Sequence, residues 1–242
     1  MIPPQPVERP YTTLVLAMSA DGKIADATRA PARFGSKVDK HHLETQIAQA
    51  DGVLFGSGTL QAYGTTLKVT NPLLLQKRQQ QGKSPQPIHI VCSRSASLDP
   101  QLFFFQQPIP RWLLTTKTGA ASWQNRPEFE RVLMLAQSDP AKPENTQVSC
   151  IDWSKTLHQL TVYGIEQLVI TGGSKIVAAL VAQDLIDEFW LTVCPLILGG
   201  TDAPTPVGGT GFTETLAPRL ALLSAEVIDQ EVFLHYRRQR CI

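Results

Sequence analysis

Along this 242-residue chain, short apolar runs repeatedly break off at small or glycine-rich turns and give way to helical spacing. Runs of that length, crossed over by helical patterns, predict an α/β fold with a mostly parallel central sheet and flanking helices. Tyr11 to Met18 reads as a buried strand ending at Ser19-Ala20-Asp21-Gly22, and Val38 to Ala50 as a helix with Leu43, Ile47 and Ala50 on one stripe. Gly52 to Phe55 is a second strand, followed by a loop and a helix from Pro72 to Gln81. Ile88 to Cys92, Trp112 to Thr116 and Val132 to Ala136 are further strands, and Gln137 to Gln147 is a surface loop. A helix from Trp153 to Tyr163, a strand from Gln167 to Ile170 and a helix from Lys175 to Gln183 come next. The chain then has a long strand from Glu188 to Leu198 and a Gly/Pro-rich loop from Ala203 to Gly211. Leu220 to Ile228 and Val232 to Tyr236, with Asp229-Gln230 between them, have the spacing of a closing hairpin. No repeat or break in composition divides the chain, so one domain is expected over residues 11–242 after a tail of residues 1–10.

Composition narrows the class of function. Hydrophobic residues make up 43% and charged residues 18%, enough for a core. Lys plus Arg (22) nearly balances Asp plus Glu (21), so no overall field draws the protein to nucleic acid or an anionic membrane. The Pro-rich start carries no leader pattern, and the apolar runs are too short to span a bilayer. The four cysteines are widely spaced, as expected for reduced core residues in the cytoplasm.

Three strand ends carry the chemistry. At a glycine turn the backbone can lie against a ligand, and the first N–H groups of a following helix can bind phosphate oxygens. Thr171-Gly172-Gly173-Ser174-Lys175 is the strongest case, though not a Rossmann G-x-G-x-x-G. Gly56-Ser57-Gly58-Thr59 repeats the logic, with Thr59 able to cap a turn or donate to a phosphate. Val91-Cys92-Ser93-Arg94 ends a strand with a hydroxyl and a guanidinium, the latter suited to bidentate phosphate binding.

In order and context these motifs resemble dihydrofolate reductase, and still more the pyrimidine reductases of riboflavin biosynthesis. The shared marks are Ser19-Ala20-Asp21-Gly22-Lys23, Asp51-Gly52-Val53-Leu54-Phe55-Gly56-Ser57-Gly58-Thr59, Gly172-Gly173, Leu185-Ile186-Asp187-Glu188 and Pro195-Leu196-Ile197-Leu198-Gly199-Gly200. The resemblance implies a single dihydrofolate-reductase-like domain, NADPH as cofactor, a small-molecule substrate and a homodimer. It implies that Gly56, Ser57, Thr59, Gly172, Gly173, Ser174, Lys175 and Ile176 hold the diphosphate, and that Ser93 and Arg94 meet the adenosine 2′-phosphate. Ala17 and the turn from Ser19 to Gly22 would then lie beside the nicotinamide. The reaction implied is hydride transfer to C1′ of 5-amino-6-(5-phosphoribosylamino)uracil, present as an open-chain imine, to give the ribitylamine.

The substrate side departs from the pattern. Gln46-Ile47-Ala48-Gln49-Ala50 lacks the family's arginine, and Thr171 replaces a glutamate. The Asp-Asp-Pro segment becomes Tyr63-Gly64-Thr65-Thr66-Leu67, followed later by Asn71 to Arg78. Asp21 is a candidate for proton management or simply a turn-former. Lys23, Lys77 and Arg78 are candidate phosphate partners or solvated charges, with Leu67 and Thr171 as further candidate substrate contacts. A reductase of a pterin or dihydrofolate, or a non-catalytic NADPH-binding homologue, are the alternatives. His42-Leu43-Glu44 matches half of a zinc-deaminase signature, but the P-C-x-x-C half is missing. His42 is therefore expected on a solvated helix, with no metal site.

Overall fold

Alternating apolar runs and helical patterns build one sheet with helices on both faces. The computed structural model describes residues 8–137 and 151–240. The strands are β1 (Tyr11–Ser19), β2 (Gly52–Gly56), β3 (Ile88–Cys92), β4 (Arg111–Thr115), β5 (Arg131–Met134), β6 (Gln167–Ile170), β7 (Glu188–Cys194), β8 (Leu220–Ile228) and β9 (Glu231–Arg238). The helices are α1 (Lys37–Gln49), α2 (Ser57–Tyr63), α3 (Pro72–Gln80), α4 (Lys117–Trp123), α5 (Trp153–Val162) and α6 (Ser174–Ala182), with a 3₁₀ turn at Phe103–Gln106. In space the strands run β5-β4-β3-β2-β6-β1-β7-β9-β8. The first seven are parallel, and the β8–β9 hairpin closes the sheet antiparallel to β7. The α/β expectation, mostly parallel with a C-terminal hairpin, holds.

Alternation along the strands feeds two cores. Leu14, Leu54, Ile90, Trp112 and Leu114 pack beneath Trp153, Leu157 and Leu160 of α5 and Val177 and Leu180 of α6. Val15, Val53, Phe55, Val91 and Leu113 pack on the opposite face against Ile47 and Ala48 of α1, Leu60 of α2 and Trp123 of α4. Thus β1 and β2 are followed by helices on one face, whereas β6, lying between them, is followed by α6 on the other. That reversal opens a crevice at the carboxyl ends of these strands, where ligands bind in open α/β sheets.

Several local expectations are corrected. The stretch after β2 is helix, because Leu60 is fully buried and Gly64 closes the turn in the left-handed region (φ 66°). A further helix, α4, starts at the Thr116 cap and is anchored by buried Trp123, whose Nε1 donates to Ala96 O at 2.7 Å. Strand β7 stops at Cys194 rather than Leu198, since its partner β1 ends at the paired Ser19 and Pro195 has no N–H to donate. His42 does not lie on a solvated face. Its ring packs 4.8 Å from Trp190 and 5.4 Å from Phe233, and burial lowers its pKa. Cys92 and Cys194 are buried free thiols; Cys150, Cys241, most of the tail and nearly all of the loop at Gln137 to Gln147 lie outside the described residues.

The two termini are tied together at the amino-terminal end of β7. Asp187 is 5% exposed and accepts both Nη atoms of Arg9 at 2.8 Å, Thr12 N–H and Arg240 Nη1. Burial alone would raise its pKa, but these donors outweigh it and hold the carboxyl at about 2. No helix among the described residues is long and apolar enough to cross a membrane.

Arg78, a candidate phosphate partner by sequence, is only 2% exposed. Its Nη1 donates to Ala48 O and Ala50 O at 2.8 and 2.7 Å, and its Nε to Ser84 O at 2.8 Å. It clamps the end of α1 and the start of β2, at the edge opposite the carboxyl ends. Replacing Arg78 by Met leaves those carbonyls without donors, and we expect urea unfolding to show a loss of about 3 kcal/mol.

Candidate functional site

The parallel sheet brings the glycine turns of β2 and β6 side by side. A Cβ on Gly173 would stand 3.5 Å from Gly56 N, and one on Gly172 would stand 3.0 Å from Thr59 Oγ1. Both glycines have positive φ, 157° at Gly172 and 93° at Gly173, the latter well inside a region that disfavours side chains. Gly173 is the N-cap of α6 and so offers no capping side chain. The N–H groups of Ser174 and Lys175 consequently begin the helix without an intrahelical acceptor, and form the positive end of its dipole. Ile176 packs beneath the pair, its Cδ1 lying 3.2 Å from where a Gly56 Cβ would be. The loop after β7 lies alongside α6, with Gly208 N–H on Ser174 O at 3.1 Å.

Strand β3 pairs with β2, so its end lies one strand further along the same edge. Ser93 is buried and its Oγ accepts Ala96 N–H at 3.1 Å, which bends the chain away. Arg94 is exposed, while its carbonyl accepts the hydroxyls of Thr115 and Thr116 at 3.2 and 2.8 Å. The guanidinium is thus carried on a fixed backbone. Ala17 lies near the end of β1, paired with Thr192 of β7, and Thr171 N–H donates to Leu54 O at the β2–β6 junction.

Asp21 and Lys23 belong to the turn after β1. Asp21 accepts Ser19 Oγ–H at 2.6 Å, Leu198 N–H at 3.1 Å and Gly199 N–H at 2.7 Å. The Ser19 bond first, then these backbone donors, lower its pKa to about 2. Asp21 is therefore an ionised tie between two loops, which supports the turn-forming reading over proton management. Lys23 Nζ reaches Ala203 O at 3.3 Å, so it joins the turn to the Gly/Pro-rich loop. The chain after β1 and Leu198, just past β7, border a cavity of about 260 Å³ lined by Asp26, Arg33, Phe34 and Leu198.

Two sequence candidates fall elsewhere. Lys77 is exposed on α3 next to Arg78, whose contacts place it at the opposite edge, so it does not join the glycine turns. Leu67 packs against the core beneath α1 and α2. Its neighbours Thr65 and Thr66 hold Gln107 and His89, at 2.9 and 3.1 Å. Glu44, half of the discarded metal signature, instead accepts the N–H groups of Thr70 and Asn71.

Parallel strands whose glycine turns meet at one edge, closed by an antiparallel hairpin, define a dihydrofolate-reductase-like α/β protein. The model of the RibD C-terminal domain matches residues 10–234, and the chain belongs to this family, the pyrimidine reductases of riboflavin biosynthesis. A 2,5-diamino-6-ribosylamino-4(3H)-pyrimidinone 5′-phosphate reductase of Archaeoglobus fulgidus is 28% identical over 208 residues, covering 84% of this chain and 89% of that protein. The protein of the same name from Methanothermobacter thermautotrophicus is also 28% identical, over 94% of this chain and 98% of its own length. Among solved folds, a pyrimidine reductase-like protein of Corynebacterium diphtheriae superposes with a TM-score of 0.74 at 18% identity, covering 96% and 93% of the two chains.

Asp21 also yields a pH prediction. Its folded pKa lies below the unfolded value, so its contribution to stability is complete above the unfolded pKa and fades as pH falls through the folded value near 2. Asp21→Asn should unfold more readily than the parent in urea between pH 5 and 8, and the difference should shrink in strong acid.

Proposed function

We propose that this protein is an NADPH-dependent reductase of riboflavin biosynthesis, acting on 5-amino-6-(5-phosphoribosylamino)uracil to give the ribitylamino product. The observation that carries this reading is the meeting of Gly56, Gly172 and Gly173 at one sheet edge beside an uncapped helix start. A dinucleotide fits such a cradle, because the glycine backbones and the free N–H groups at the start of α6 can lie directly against its diphosphate. Gly56, Ser57 and Thr59 would hold it from β2, and Gly172 to Ile176 from β6. Ser93 and Arg94 would select the 2′-phosphate, a task for which a guanidinium is well shaped. Ala17 would face the nicotinamide, with Lys23 and Thr171 toward the substrate. The bound cofactor supplies the hydride; the protein supplies orientation and a fixed electrostatic frame.

The test is oxidation of NADPH followed at 340 nm with the aminouracil phosphate, with the 2,5-diaminopyrimidinone phosphate named in the relatives as a second arm. Turnover of either one supports the reading. Because Thr171 stands where the family carries a glutamate, dihydrofolate and a pterin form a third arm. NADPH binding without turnover of any of them would leave a non-catalytic binding protein.

Arg94→Ala should weaken NADPH binding by roughly 10- to 100-fold while changing NADH binding little, the range expected for losing a charge-assisted contact to phosphate. Equal losses for the two dinucleotides would remove Arg94 from the 2′-phosphate.

A cytoplasmic homodimer is part of the same proposal. Leu222, Val227 and Ile228 are exposed on β8, an outer strand of the sheet. A second copy of the chain would cover this surface and shield the strand from further pairing.

A further inference from the structure

The substrate proposed above ends in a phosphate, an anion that needs a cation to receive it. Lys23, Lys77 and Arg78 stood out in the sequence for that task, yet the fold leaves none of them free beside the glycine turns. Lys77 and Arg78 lie at the opposite edge, and Lys23 Nζ is drawn to Ala203 O at 3.3 Å. Arg94 is assigned to the dinucleotide. The loop between β1 and α1 supplies a further cation, Arg33.

The cavity of about 260 Å³ at this loop has an apolar wall of Pro31, Phe34 and Leu198 and two charged residues, Asp26 and Arg33. Pockets that enclose a whole small ligand run to about 300–1,000 Å³, so this one suits one end of a substrate. Asp26 and Arg33 share the cavity without forming an ion pair. Among the described residues the exposed Arg33 guanidinium makes no hydrogen bond or ion pair. Asp26 shapes the loop through one oxygen, Oδ1, which accepts Thr28 N–H at 2.9 Å, Thr28 Oγ–H at 2.7 Å and Ala30 N–H at 3.2 Å. The Thr28 hydroxyl first, then the backbone donors, lower its pKa, so it stays an acceptor-only carboxylate.

The backbone that carries Arg33 is held on both sides. Tyr63, at the end of α2, donates its hydroxyl to Ala32 O at 2.8 Å. Burial raises the Tyr63 pKa, so the phenol remains a neutral donor. Three residues beyond Arg33, the N–H and hydroxyl of Ser36 go to Glu231 of β9 at 2.8 and 2.6 Å. Arg33 therefore stands between two ties to distant elements while its own side chain stays unengaged.

We propose that this cavity receives the sugar-phosphate end of the substrate, with Arg33 gripping the phosphate and Asp26 accepting hydroxyls of the sugar chain. This rests on the reductase reading. An open-chain pentose phosphate presents hydroxyls and then an anion along one short segment, which matches a carboxylate and a guanidinium that do not neutralise each other. A planar guanidinium can bind two phosphate oxygens at once. Tyr63 is a positioning residue that acts through Ala32. Leu198 joins the cavity to the reacting end, since its N–H donates to Asp21 in the turn that follows Ala17.

The experiment compares whichever aminopyrimidine phosphate the parent reduces with the same compound lacking its phosphate. Arg33→Ala should lower kcat/KM for the phosphorylated substrate by roughly 10- to 100-fold, mainly through KM. The dephosphorylated substrate and NADPH affinity should stay within a few-fold, so the preference for phosphate collapses. Arg33→Lys should recover part of it. Tyr63→Phe should weaken the same preference by roughly 3- to 10-fold, through a loop no longer pinned at Ala32. Arg29→Gln, exposed on the same loop but not lining the cavity, should leave it unchanged. Because the Arg33 guanidinium bonds nothing within the described chain, its replacement should not disturb folding, which urea unfolding checks.

An equal loss for the two substrates, or no loss, overturns the proposal. If the parent reduces neither aminopyrimidine, calorimetry with ribitol 5-phosphate and with ribitol decides. Binding of the phosphate ester alone, weakened by Arg33→Ala, keeps the anion site and removes only the reductase reading. No binding, or binding indifferent to Arg33, overturns the site itself.

Discussion

Everything at the candidate site depends on how closely the backbones of β2 and β6 approach at their carboxyl ends. Adjacent parallel strands lie about 4.8 Å apart, which leaves no room for side chains on the turns that leave them side by side. Gly56, Gly172 and Gly173 satisfy that limit, and the positive φ of Gly173 lets the chain turn directly into α6. One constraint thus fixes three things together: the crevice, the exposed helix start and the place of Ile176 beneath them.

The rest of the molecule holds that edge still. Two cores grip the sheet from both faces, and the Asp187 network ties Arg9 and Arg240 to β7 at the far end. On the site side, Asp21 and Glu231 are used structurally. Each carboxylate collects donors from a distant part of the chain, and so joins loops that the sheet alone would leave independent.

Much of this was legible in the sequence, because strand length and glycine placement are local properties. Gln167–Ile170 is read to the residue, and the hairpin turn at Asp229 was visible from its two-residue spacing. Helix α2 was not, since Ser57-Gly58-Thr59 is a weak helix former and the helix depends on burying Leu60. Arg78 looked like surface charge because its acceptors lie 28 and 30 residues away. His42 was misread for the same reason, as its aromatic neighbours come from β7 and β9. Nothing local announces that Glu231, 195 residues away, will accept both the N–H and the hydroxyl of Ser36 at the start of α1.

Hydrogen exchange of the protein with and without reduced NADP tests the central claim most directly. Amides at Gly56 to Thr59, Ser93 to Arg94 and Gly172 to Val177 should slow together, at one saturating dinucleotide per chain. Saturation that protects a different part of the sheet, or no protection at any concentration, would contradict the account.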